Sequence, residues 1–477
     1  MCIPICGAMF IVEGEILKTL SDGKMTRKYF GTDGIRGKAN TYPMTADMAL
    51  KVAMATASVL RAKQDGEHLN RAVIGKDPRL SSYMFEEAMC AGFVAMGMDV
   101  FLTGPVPTPG VSFLTRSMRC DVGVMISASH NPFQDNGIKL FAPDGFKLGD
   151  DIEAEIEAKI DQDLSGELAD ATKLGKATRI DDCLGRYGEY IKGSFPKRKS
   201  FEGLKVVVDC AHGAAYKLAP QVLWELECDV IAIGNMPNGR NINEAYGATA
   251  PQNLQKAVTV YEADIGIALD GDADRVIIVD EKGQIIDGDQ IMAALALSMK
   301  EAGTLQGGAL VATVMSNLGL ERVLKKNGLK LVRTQVGDRY VVEAMREGGY
   351  NLGGEQSGHI ILSDFSRTGD GLLAALQVLS LLKEQGRPAS EVLNLFAPVP
   401  QILRNVRFEG GTPLDDAQVQ EAIKQAEETL ANDGRVLVRA SGTEPVIRVM
   451  AEGDDLKKVE TVVGDLCSAI EKNAGAA

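Results

Sequence analysis

A serine in a polar turn is the first residue of this chain that could carry chemistry. Residues 123–132 read Gly-Val-Met-Ile-Ser-Ala-Ser-His-Asn-Pro, so Ser129 follows an apolar stretch, and Lys139 comes a little later. A serine hydroxyl is a weak nucleophile until a base or a metal ion activates it, and His130 and Lys139 are candidates for that role. No Gly-x-Ser-x-Gly elbow surrounds Ser129, which argues against an acyl-enzyme hydrolase. Phosphoryl transfer at Ser129 fits better than such a hydrolase, and an ordinary polar turn is the alternative.

Three aspartates form a second candidate centre. Asp270, Asp272 and Asp274 alternate with small residues directly after another apolar stretch. Side chains two positions apart in an extended loop point the same way, so these carboxylates should converge and require a cation. Their hard oxygens suit Mg²⁺, whereas a calcium EF-hand is excluded because Arg275 occupies the position of its required glycine. We expect Mg²⁺ to bind the aspartates and a phosphate on Ser129; an acidic surface hairpin is the alternative.

A glycine-rich segment offers groups that suit a sugar. Residues 353–359 place Glu355, Ser357 and His359 among glycines, which let a ligand approach the backbone closely. Carboxylate, hydroxyl and imidazole groups there could bind sugar hydroxyls, although a flexible polar loop has the same composition. Arg36 is a further cation between glycines near the start of the chain, where a turn arginine is the commoner interpretation.

The last candidate loop combines arginines with hydroxyls and glycine. It contains Arg439, Ser441, Gly442, Thr443 and Arg448. Arginine side chains and exposed backbone amides together can surround a phosphate dianion, so the loop is a candidate phosphate-binding site. A hairpin with surface arginines is the alternative.

The elements that must position these loops alternate between helix and strand. A chain of 477 residues is too long for a single core, since cores stop growing near ~250 to 300 residues. In the first part, the hydrophobic pattern predicts stacked β-α units. We predict helices over residues 46–60, 81–96 and 150–164 and strands over 72–75, 100–103 and 122–126, followed by a connector to about residue 182.

Similar patterns continue in the rest of the chain. A second unit should contain strands over residues 205–209, 265–269 and 276–279, the last two as a hairpin around the aspartates. A third unit should contain a helix from about residue 289, a strand over 309–314 and a helix over 372–383. The final part predicts a small α+β domain with a strand over 402–408, a helix over 417–430, two short strands around 441–444 and a terminal helix.

Charge and composition exclude several classes of function. The formal net charge of -14 argues against a nucleic-acid or anionic membrane partner, because both are polyanions. No apolar run approaches the ~18 residues of a membrane span. The eight cysteines are scattered, which is typical of reduced thiols in a cytoplasmic protein. Residues 1–24 lack the basic start of a secretory signal, so we interpret them as an extension of unknown role before a natural start at Met25.

In this order the candidate loops resemble those of the α-D-phosphohexomutase superfamily, over about residues 29–453. The similarity is carried by Phe-Gly-Thr-Asp-Gly-Ile-Arg at 30–36, the serine and aspartate loops, Gly-Glu-Gln-Ser-Gly-His at 354–359 and Arg-Ala-Ser-Gly-Thr-Glu-Pro at 439–445. Gln356 and the Asn-Ile-Asn at 241–243 are more similar to members acting on glucosamine phosphates than to those acting on mannose or glucose phosphates. Ala440 stands where many members have lysine.

The resemblance implies three similar α/β domains with mixed sheets and a smaller C-terminal α+β domain around a central cleft. We expect these boundaries: the extension at 1–24, the phosphoserine domain at 25–182, the magnesium-binding domain at 183–284, the sugar-binding domain at 285–397 and the phosphate-binding domain at 398–477. A homodimer is common among such proteins, and the oligomeric state stays open here.

The resemblance also implies roles for the candidate residues. Ser129 would be the phosphoserine and a magnesium ligand together with Asp270, Asp272 and Asp274. Catalysis would further involve His130, Lys139, Arg36 and Arg275, and the substrate would contact Glu355, Ser357, His359, Arg439, Ser441, Gly442, Thr443 and Arg448.

The implied reaction interconverts glucosamine 6-phosphate and glucosamine 1-phosphate through glucosamine 1,6-bisphosphate, in support of UDP-N-acetylglucosamine synthesis. Lys139 as a general acid or base would need a pKa near neutrality, which burial favours and the aspartates oppose. Three alternatives stay open: the same reaction on glucose or mannose phosphates, a non-catalytic phosphosugar-binding protein and a metal-dependent phosphatase.

Overall fold

The computed structural model describes residues 28–63, 69–196, 199–408, 410, 412–441 and 445–473. The predicted extension at residues 1–24 lies outside them. The described residues form four sheets, three of them mixed and the last one antiparallel. The predicted fold class, three α/β domains and a smaller C-terminal domain, is therefore confirmed. Every helix in these ranges is too short or too polar to cross a bilayer.

The first domain is built on a six-stranded sheet with the order β1-β5-β4-β2-β3-β6. Its elements are β1 (Ile35–Lys38), α1 (Ala46–Ala62), β2 (Arg71–Lys76), α2 (Leu80–Ala95), β3 (Asp99–Pro105), α3 (Thr108–Ser117), β4 (Val122–Ile126), β5 (Asp135–Phe141), α4 (Asp150–Ile160) and β6 (Ala177–Arg179). The helix predicted to reach residue 164 ends at Ile160. The predicted connector contributes a strand, because β6 pairs parallel with β3 at the sheet edge.

The second domain follows with a five-stranded sheet in the order β11-β10-β9-β7-β8. Its elements are α5 (Cys183–Lys192), β7 (Lys205–Asp209), α6 (Leu218–Glu225), β8 (Asp229–Ile233), α7 (Gln252–Tyr261), β9 (Ile265–Leu269), β10 (Val276–Asp280) and β11 (Ile285–Ile286). The predicted hairpin is confirmed, since β9 and β10 pair antiparallel.

The third domain has a four-stranded sheet in the order β13-β12-β14-β15. Its elements are α8 (Gly288–Glu301), β12 (Ala309–Thr313), α9 (Leu318–Lys326), β13 (Lys330–Thr334), α10 (Asp338–Gly348), β14 (Leu352–Gly354), β15 (Ile360–Leu362), α11 (Gly371–Gln385) and α12 (Ala389–Val392).

The fourth domain packs two helices on an antiparallel sheet with the order β16-β18-β17. Its elements are β16 (Gln401–Arg407), α13 (Ala417–Leu430), β17 (Gly434–Ala440), β18 (Val446–Gly453) and α14 (Leu456–Asn473). Two strands flank residues 441–444 as predicted, but they are longer than expected: β17 ends at Ala440 and β18 begins at Val446.

The three α/β domains repeat one arrangement that sets the positions of the candidate loops. In each, a strand that pairs parallel with its neighbour is followed by an antiparallel partner: β4 by β5, β9 by β10, and β14 by β15. The loop inside each pair carries Ser129, the three aspartates or Glu355, respectively. One structural position therefore presents the candidate chemistry of all three domains.

The second and third domains share a continuous hydrophobic core. Buried side chains from both sheets, such as Val208, Ile267, Leu310 and Leu376, belong to the same packed cluster. The first domain and the fourth domain each pack a main core of their own. Because interiors are densely packed and resist deformation, the second and third domains should move as one body.

Polar contacts join the fourth domain to the third. The Arg435 guanidinium donates to the carbonyl oxygens of Val314 and Ser316, both at 2.8 Å. The Asn317 side-chain Nδ2 donates to the Val399 carbonyl at 2.9 Å, and its Oδ1 accepts from the Val399 backbone amide at 2.9 Å. Next to this contact, Asp289 is fully buried, and its Oδ2 accepts a hydrogen bond from the backbone amide of Asn317 at 2.8 Å. The interface thus surrounds a buried carboxyl group.

Replacing Asp289 by asparagine should stabilise the protein in a pH-dependent manner. Burial, reinforced by Asp287, raises the pKa of Asp289 to about 7, whereas an unfolded aspartate titrates near pH ~4. The folded state binds this proton more tightly, so stability falls as the pH rises between these two values. Asp289→Asn should therefore raise the melting temperature by a few degrees at pH 8 and change it little at pH 5.

Differential scanning fluorimetry at both pH values would check this expectation. Glu301→Gln, at the exposed end of the same helix, is the matched control and should have no effect at either pH. An equal shift of the Asp289→Asn variant at pH 5 and pH 8 would contradict the explanation.

Candidate active site

Ser129 lies in the turn between β4 and β5 with only 1% of its surface exposed. Its backbone has a φ of 51°, a left-handed conformation that is uncommon for a residue with a side chain. Its hydroxyl donates to Asp270 Oδ2 at 2.5 Å, and its amide donates to Ser127 Oγ at 2.9 Å. The serine loop of the first domain therefore contacts the aspartate loop of the second.

The three aspartates converge as their spacing indicates. All three are buried, and their nearest carboxylate oxygens lie within 4.8 Å of one another. Asp272 Oδ1 and Asp274 Oδ1 have no hydrogen-bond partner among the described residues although both atoms are buried. Burial, together with the charges of Asp274 and Asp272, raises the pKa of Asp270 well above its ordinary value. Unpaired buried oxygens and mutual repulsion are what a bound divalent cation would relieve, so the cluster could hold a metal ion.

Lys139 extends from β5 into the same cluster. Its Nζ lies 3.0 Å from Asp272 Oδ2 and 3.4 Å from Asp274 Oδ2, and Asp33 Oδ2 is also at 3.4 Å. Burial alone would lower the pKa of Lys139, but the three carboxylates outweigh it and raise that pKa. Without a bound cation, the carboxylates therefore favour the charged form of Lys139.

His130 is the neighbouring group with the opposite tendency. Burial and then the charges of Arg275 and Arg36 lower the pKa of His130 to about 4. Its Nδ1 lies 3.4 Å from Ser129 Oγ. At neutral pH the ring is therefore uncharged beside the serine, in a setting crowded with guanidinium groups.

Both predicted arginines lie at this site. Arg36 forms an ion pair with Asp33, three residues before it. The Arg275 amide donates to Asp270 Oδ1 at 3.2 Å, and its Nε lies 3.9 Å from Asp274 Oδ1. These cations offset part of the negative charge of the aspartates.

A cavity of about 420 Å³ opens beside these groups. Residues of the first three domains line it: Tyr29, Gly31, Thr32, Asp33, Gly34, Arg36, Asp274, Arg275, Val336, Gly337, Asp338, Glu355 and His359. Pockets for small ligands combine a concave shape with a few convergent polar groups, and this cavity has both.

The predicted sugar-binding loop forms one wall of the cavity. Glu355 accepts from the Gly337 amide at 3.2 Å, and Ser357 donates to Glu355 Oε2 at 3.4 Å. His359 lies between Asp274, at 3.7 Å, and Asp338, at 3.5 Å. Although burial opposes it, these two carboxylates raise the pKa of His359.

The C-terminal candidate loop is only partly described. Arg439 on β17 and Arg448 on β18 are directly opposite in the sheet register. Like charges in such positions destabilise a sheet unless an anion compensates them, and burial and then Arg448 lower the pKa of Arg439. Gly442 and Thr443 lie outside the described residues.

The structure does not bring these C-terminal residues to the serine. Arg439, Ser441 and Arg448 are absent from the lining of the 420 Å³ cavity.

Sequence reasoning missed several residues of the site. Thr108 donates to Asp272 Oδ2 at 2.6 Å, and Lys147 bridges Asp33 and Asp338. Asp33 could have been found, since it stands three positions before Arg36 in the same glycine-rich motif. Thr108, Lys147 and Asp338 carry no local signal, because only the domain contacts bring them here.

Comparison with known proteins agrees with this architecture. Four phosphoglucomutase/phosphomannomutase models match in order: the α/β/α domain I over residues 27–167, domain II over 186–283, domain III over 287–399 and the C-terminal domain over 403–469. The matches follow the predicted order of domains, while the individual boundaries stay predictions.

Curated relatives are similar over nearly the whole chain. A phosphoglucosamine mutase of Parvibaculum lavamentivorans is 62% identical, covering 94% of this chain and 100% of its own. Another, of Rhizobium etli, is 60% identical and covers 95% of this chain and 100% of its own. A crystal structure of a phosphoglucomutase/phosphomannomutase family protein from Burkholderia thailandensis has a TM-score of 0.77 at 25% identity, covering 94% of this chain and 98% of that one.

These matches place the chain among enzymes of the isomerase class that transfer a phosphoryl group. The four domains occur in the family order, and the identity to curated relatives reaches 62% over nearly the full length. The chain therefore belongs to the phosphoglucosamine mutase family, within the α-D-phosphohexomutase superfamily.

Proposed function

We propose that this enzyme interconverts glucosamine 6-phosphate and glucosamine 1-phosphate through a phosphoryl group carried on Ser129. The single observation that carries the proposal is the contact between the buried Ser129 hydroxyl and Asp270, one of three converging aspartates from another domain. The aspartates could hold a divalent cation beside Ser129. A serine that repeatedly accepts and donates a phosphoryl group needs such a concentrated positive charge next to it. The identity to phosphoglucosamine mutases supports the choice of sugar.

Mg²⁺ is the metal that the aspartate cluster fits. Asp270, Asp272 and Asp274 would hold it, together with an oxygen on Ser129, and the unpaired oxygens of Asp272 and Asp274 support this assignment. Carboxylate oxygens are the ligands that Mg²⁺ prefers, and it often shares them with a phosphate. When bound, it would neutralise the negative charge that develops on the transferring phosphoryl group.

The transfer itself is a displacement at phosphorus. The bond from phosphorus to the Ser129 oxygen breaks as a bond forms to O1 or O6 of the sugar monophosphate, and the proton lost by that sugar hydroxyl ends on the Ser129 oxygen. This gives glucosamine 1,6-bisphosphate and a free serine hydroxyl. After the bisphosphate turns over in the cleft, its other phosphoryl group returns to Ser129. Substrate and product then differ only in which oxygen carries phosphate.

Fixed cations should lower the barrier for both half-reactions. Arg36, Lys139 and Arg275 all belong to the charged cluster around the aspartates. The Lys139 Nζ, 3.0 Å from Asp272 and 3.4 Å from Asp274, would place a further positive charge beside the transferring group, and Lys139 stays a candidate general acid or base. His130, with a pKa of about 4, is neutral and can hydrogen-bond to a serine or phosphate oxygen.

Substrate recognition should involve two ends of the cleft. Glu355, Ser357 and His359 would bind the sugar ring, and the Glu355 carboxylate in the cavity wall suits a protonated amine. Arg439 and Arg448, with Ser441, Gly442 and Thr443, would bind the phosphate that is not reacting. The two positively charged arginines face each other across the sheet, which supports this role because a bound anion would relieve their repulsion.

We propose that the enzyme is cytoplasmic. The six described cysteines, all buried and unpaired with one another, support a reducing compartment. The oligomeric state stays open.

Sugar preference tests the proposed function most directly. We expect kcat/KM for glucosamine 6-phosphate to exceed that for glucose 6-phosphate or mannose 6-phosphate by at least about 10-fold, because a protonated amine gains a charge interaction with the Glu355 carboxylate in the cavity wall that a hydroxyl does not. A coupled assay on the three substrates would measure it. Equal or reversed preference would assign the enzyme to glucose or mannose phosphates, steady phosphate release would indicate a phosphatase, and binding without turnover a non-catalytic protein.

A further inference from the structure

Two side chains from different domains hold the same pair of backbone carbonyls in the serine loop. Arg79 Nη2 donates to the carbonyl oxygens of Ser129 and Asn131, both at 2.9 Å. Asn243 Nδ2 donates to the same two oxygens at 2.9 Å and 3.0 Å. Arg79 belongs to the first domain and Asn243 to the second, so the loop is held from both sides.

Arg79 is built into the first domain as a rigid support. It is fully buried, its Nε donates to Asp77 Oδ2 at 2.7 Å, and its Nη1 donates to the Asp135 carbonyl at 3.0 Å. Asp77 Oδ2 also accepts from Ser127 Oγ at 2.7 Å, and that hydroxyl accepts the Ser129 amide. The amide and the carbonyl of Ser129 are therefore both tied, directly or through Ser127, to one buried Asp77–Arg79 pair.

This support has a local backbone conformation to maintain. Ser129 has a φ of 51°, and a residue with a side chain adopts this left-handed conformation only at a cost of order ~1 kcal/mol or more. The surrounding structure must supply that energy. Without the bonds to its carbonyl, the serine would be free to relax and turn its hydroxyl away from Asp270.

Asn243 completes the arrangement from the second domain. Its own φ of 59° suits asparagine, and its amide donates to the Ala211 carbonyl at 2.8 Å, which anchors it in its domain. Its side chain can only face the loop with the NH₂ group, since the reverse orientation would set its oxygen against two carbonyls. Gly271 of the aspartate loop packs so closely that a Cβ there would lie 2.5 Å from the backbone carbonyl oxygen of Ser129. The second domain is therefore shaped to receive this carbonyl.

We propose that Arg79 and Asn243 are positioning residues that lock the phosphoryl-carrying serine in its reactive conformation. Arg79 holds the Ser129 and Asn131 carbonyls from within the first domain. Asn243 adds its two hydrogen bonds to the same carbonyls only when the second domain is docked against the first. The Ser129 carbonyl is thereby held by both side chains only where Asp270 and its neighbours are present. This inference rests on the proposed role of Ser129, and it gives Asn243 a task in geometry rather than in choosing the sugar.

Substitution of Asn243 tests this positioning role without creating a cavity in a hydrophobic core. Asn243→Ala removes both hydrogen bonds, and Asn243→Asp keeps the shape and tolerance of positive φ but offers no donor. Both should lower kcat by about 10- to 100-fold, because a small misplacement of a reacting atom has effects of this order, with KM for glucosamine 6-phosphate within about 2-fold. Asn241→Ala is the matched control: that side chain bonds only within its own loop, to Met236 and Asn238, and should leave kcat unchanged.

A second readout separates this inference from the proposed function. Purified protein, first dephosphorylated, is mixed with glucose 1,6-bisphosphate, and phosphoryl uptake at Ser129 is followed by intact mass and peptide mapping. We expect the wild type and Asn241→Ala to take up phosphate at the same rate and both Asn243 variants to do so at least about 10-fold more slowly.

The outcomes are distinguishable. No uptake by the wild type at Ser129 would overturn the proposed function itself. Normal uptake and turnover by both Asn243 variants would overturn the positioning role alone. A loss in the Asn243 variants that matches a lowered melting temperature, and that raises KM along with lowering kcat, would indicate a merely structural role and also overturn it.

Discussion

The Ser129→Ala variant is expected to lose mutase turnover by about 10⁴-fold or more, since removing a nucleophile that forms the covalent intermediate eliminates the reaction path. Among the described residues, no other hydroxyl contacts Asp270. The variant should remain folded, because a single hydroxyl is lost from a buried turn whose backbone is held by other groups. A coupled assay of glucosamine 1-phosphate formation measures the loss.

Mass spectrometry supplies the complementary observation. A fraction of the wild-type protein should be heavier by one phosphoryl group, located in the peptide with Ser129, and Ser129→Ala should carry none. Ser117→Ala, an exposed serine of the same domain, is the control and should retain both activity and the phosphoryl group. Turnover by Ser129→Ala, or phosphate found only elsewhere, would rule out the phosphoserine mechanism.

Removal of the metal should have the second largest effect. The three aspartates form a buried group in which repulsion and burial raise the pKa of Asp270 far above normal. A divalent cation relieves both costs, so EDTA should abolish turnover and added Mg²⁺ should restore it. Asp272→Asn should reduce kcat by about 100-fold or more even with saturating Mg²⁺, because it removes one metal ligand and one partner of Lys139.

Thermal stability reports on the same site without activity. Binding to the folded state alone stabilises a protein by about 2.7 kcal/mol at a ligand concentration 100 times the Kd, so Mg²⁺ should raise the melting temperature of the wild type. The shift should be much smaller in Asp272→Asn and unchanged in Asp181→Asn, an exposed aspartate used as control. EDTA-resistant turnover together with the absence of a Mg²⁺-dependent shift would show that the cluster is not a metal site.

The strands that sequence patterns predicted best are the buried ones. Residues 122–126, 205–209 and 265–269 were predicted with the bounds that β4, β7 and β9 have. Short apolar runs rich in valine and isoleucine between polar turns are typical of strands covered on both faces. Such runs carry their own signal, because their burial does not depend on one particular partner.

Edge strands and the C-terminal hairpin were predicted less well. The strand β6, inside the predicted connector, has an exposed, partly polar sequence and pairs only because β3 offers an open edge. The two strands around residues 441–444 were predicted to be short, whereas β17 has 7 residues and β18 has 8. In both cases the decisive interactions are hydrogen bonds to a distant segment, which leave little trace in local composition.

The sequence by itself determined the chemical groups of this protein: a serine in a turn, three alternating aspartates, a glycine-rich polar loop and paired arginines, in the order typical of one enzyme family. Only the tertiary structure decided how they meet. Ser129 and Asp270 are separated by 141 positions yet share a hydrogen bond, the carboxylates around Lys139 raise its pKa, and Asn243 reaches the serine loop from another domain. Residue types follow from the chain, but hydrogen bonds and charge interactions depend on distances of a few ångströms, which domain docking sets.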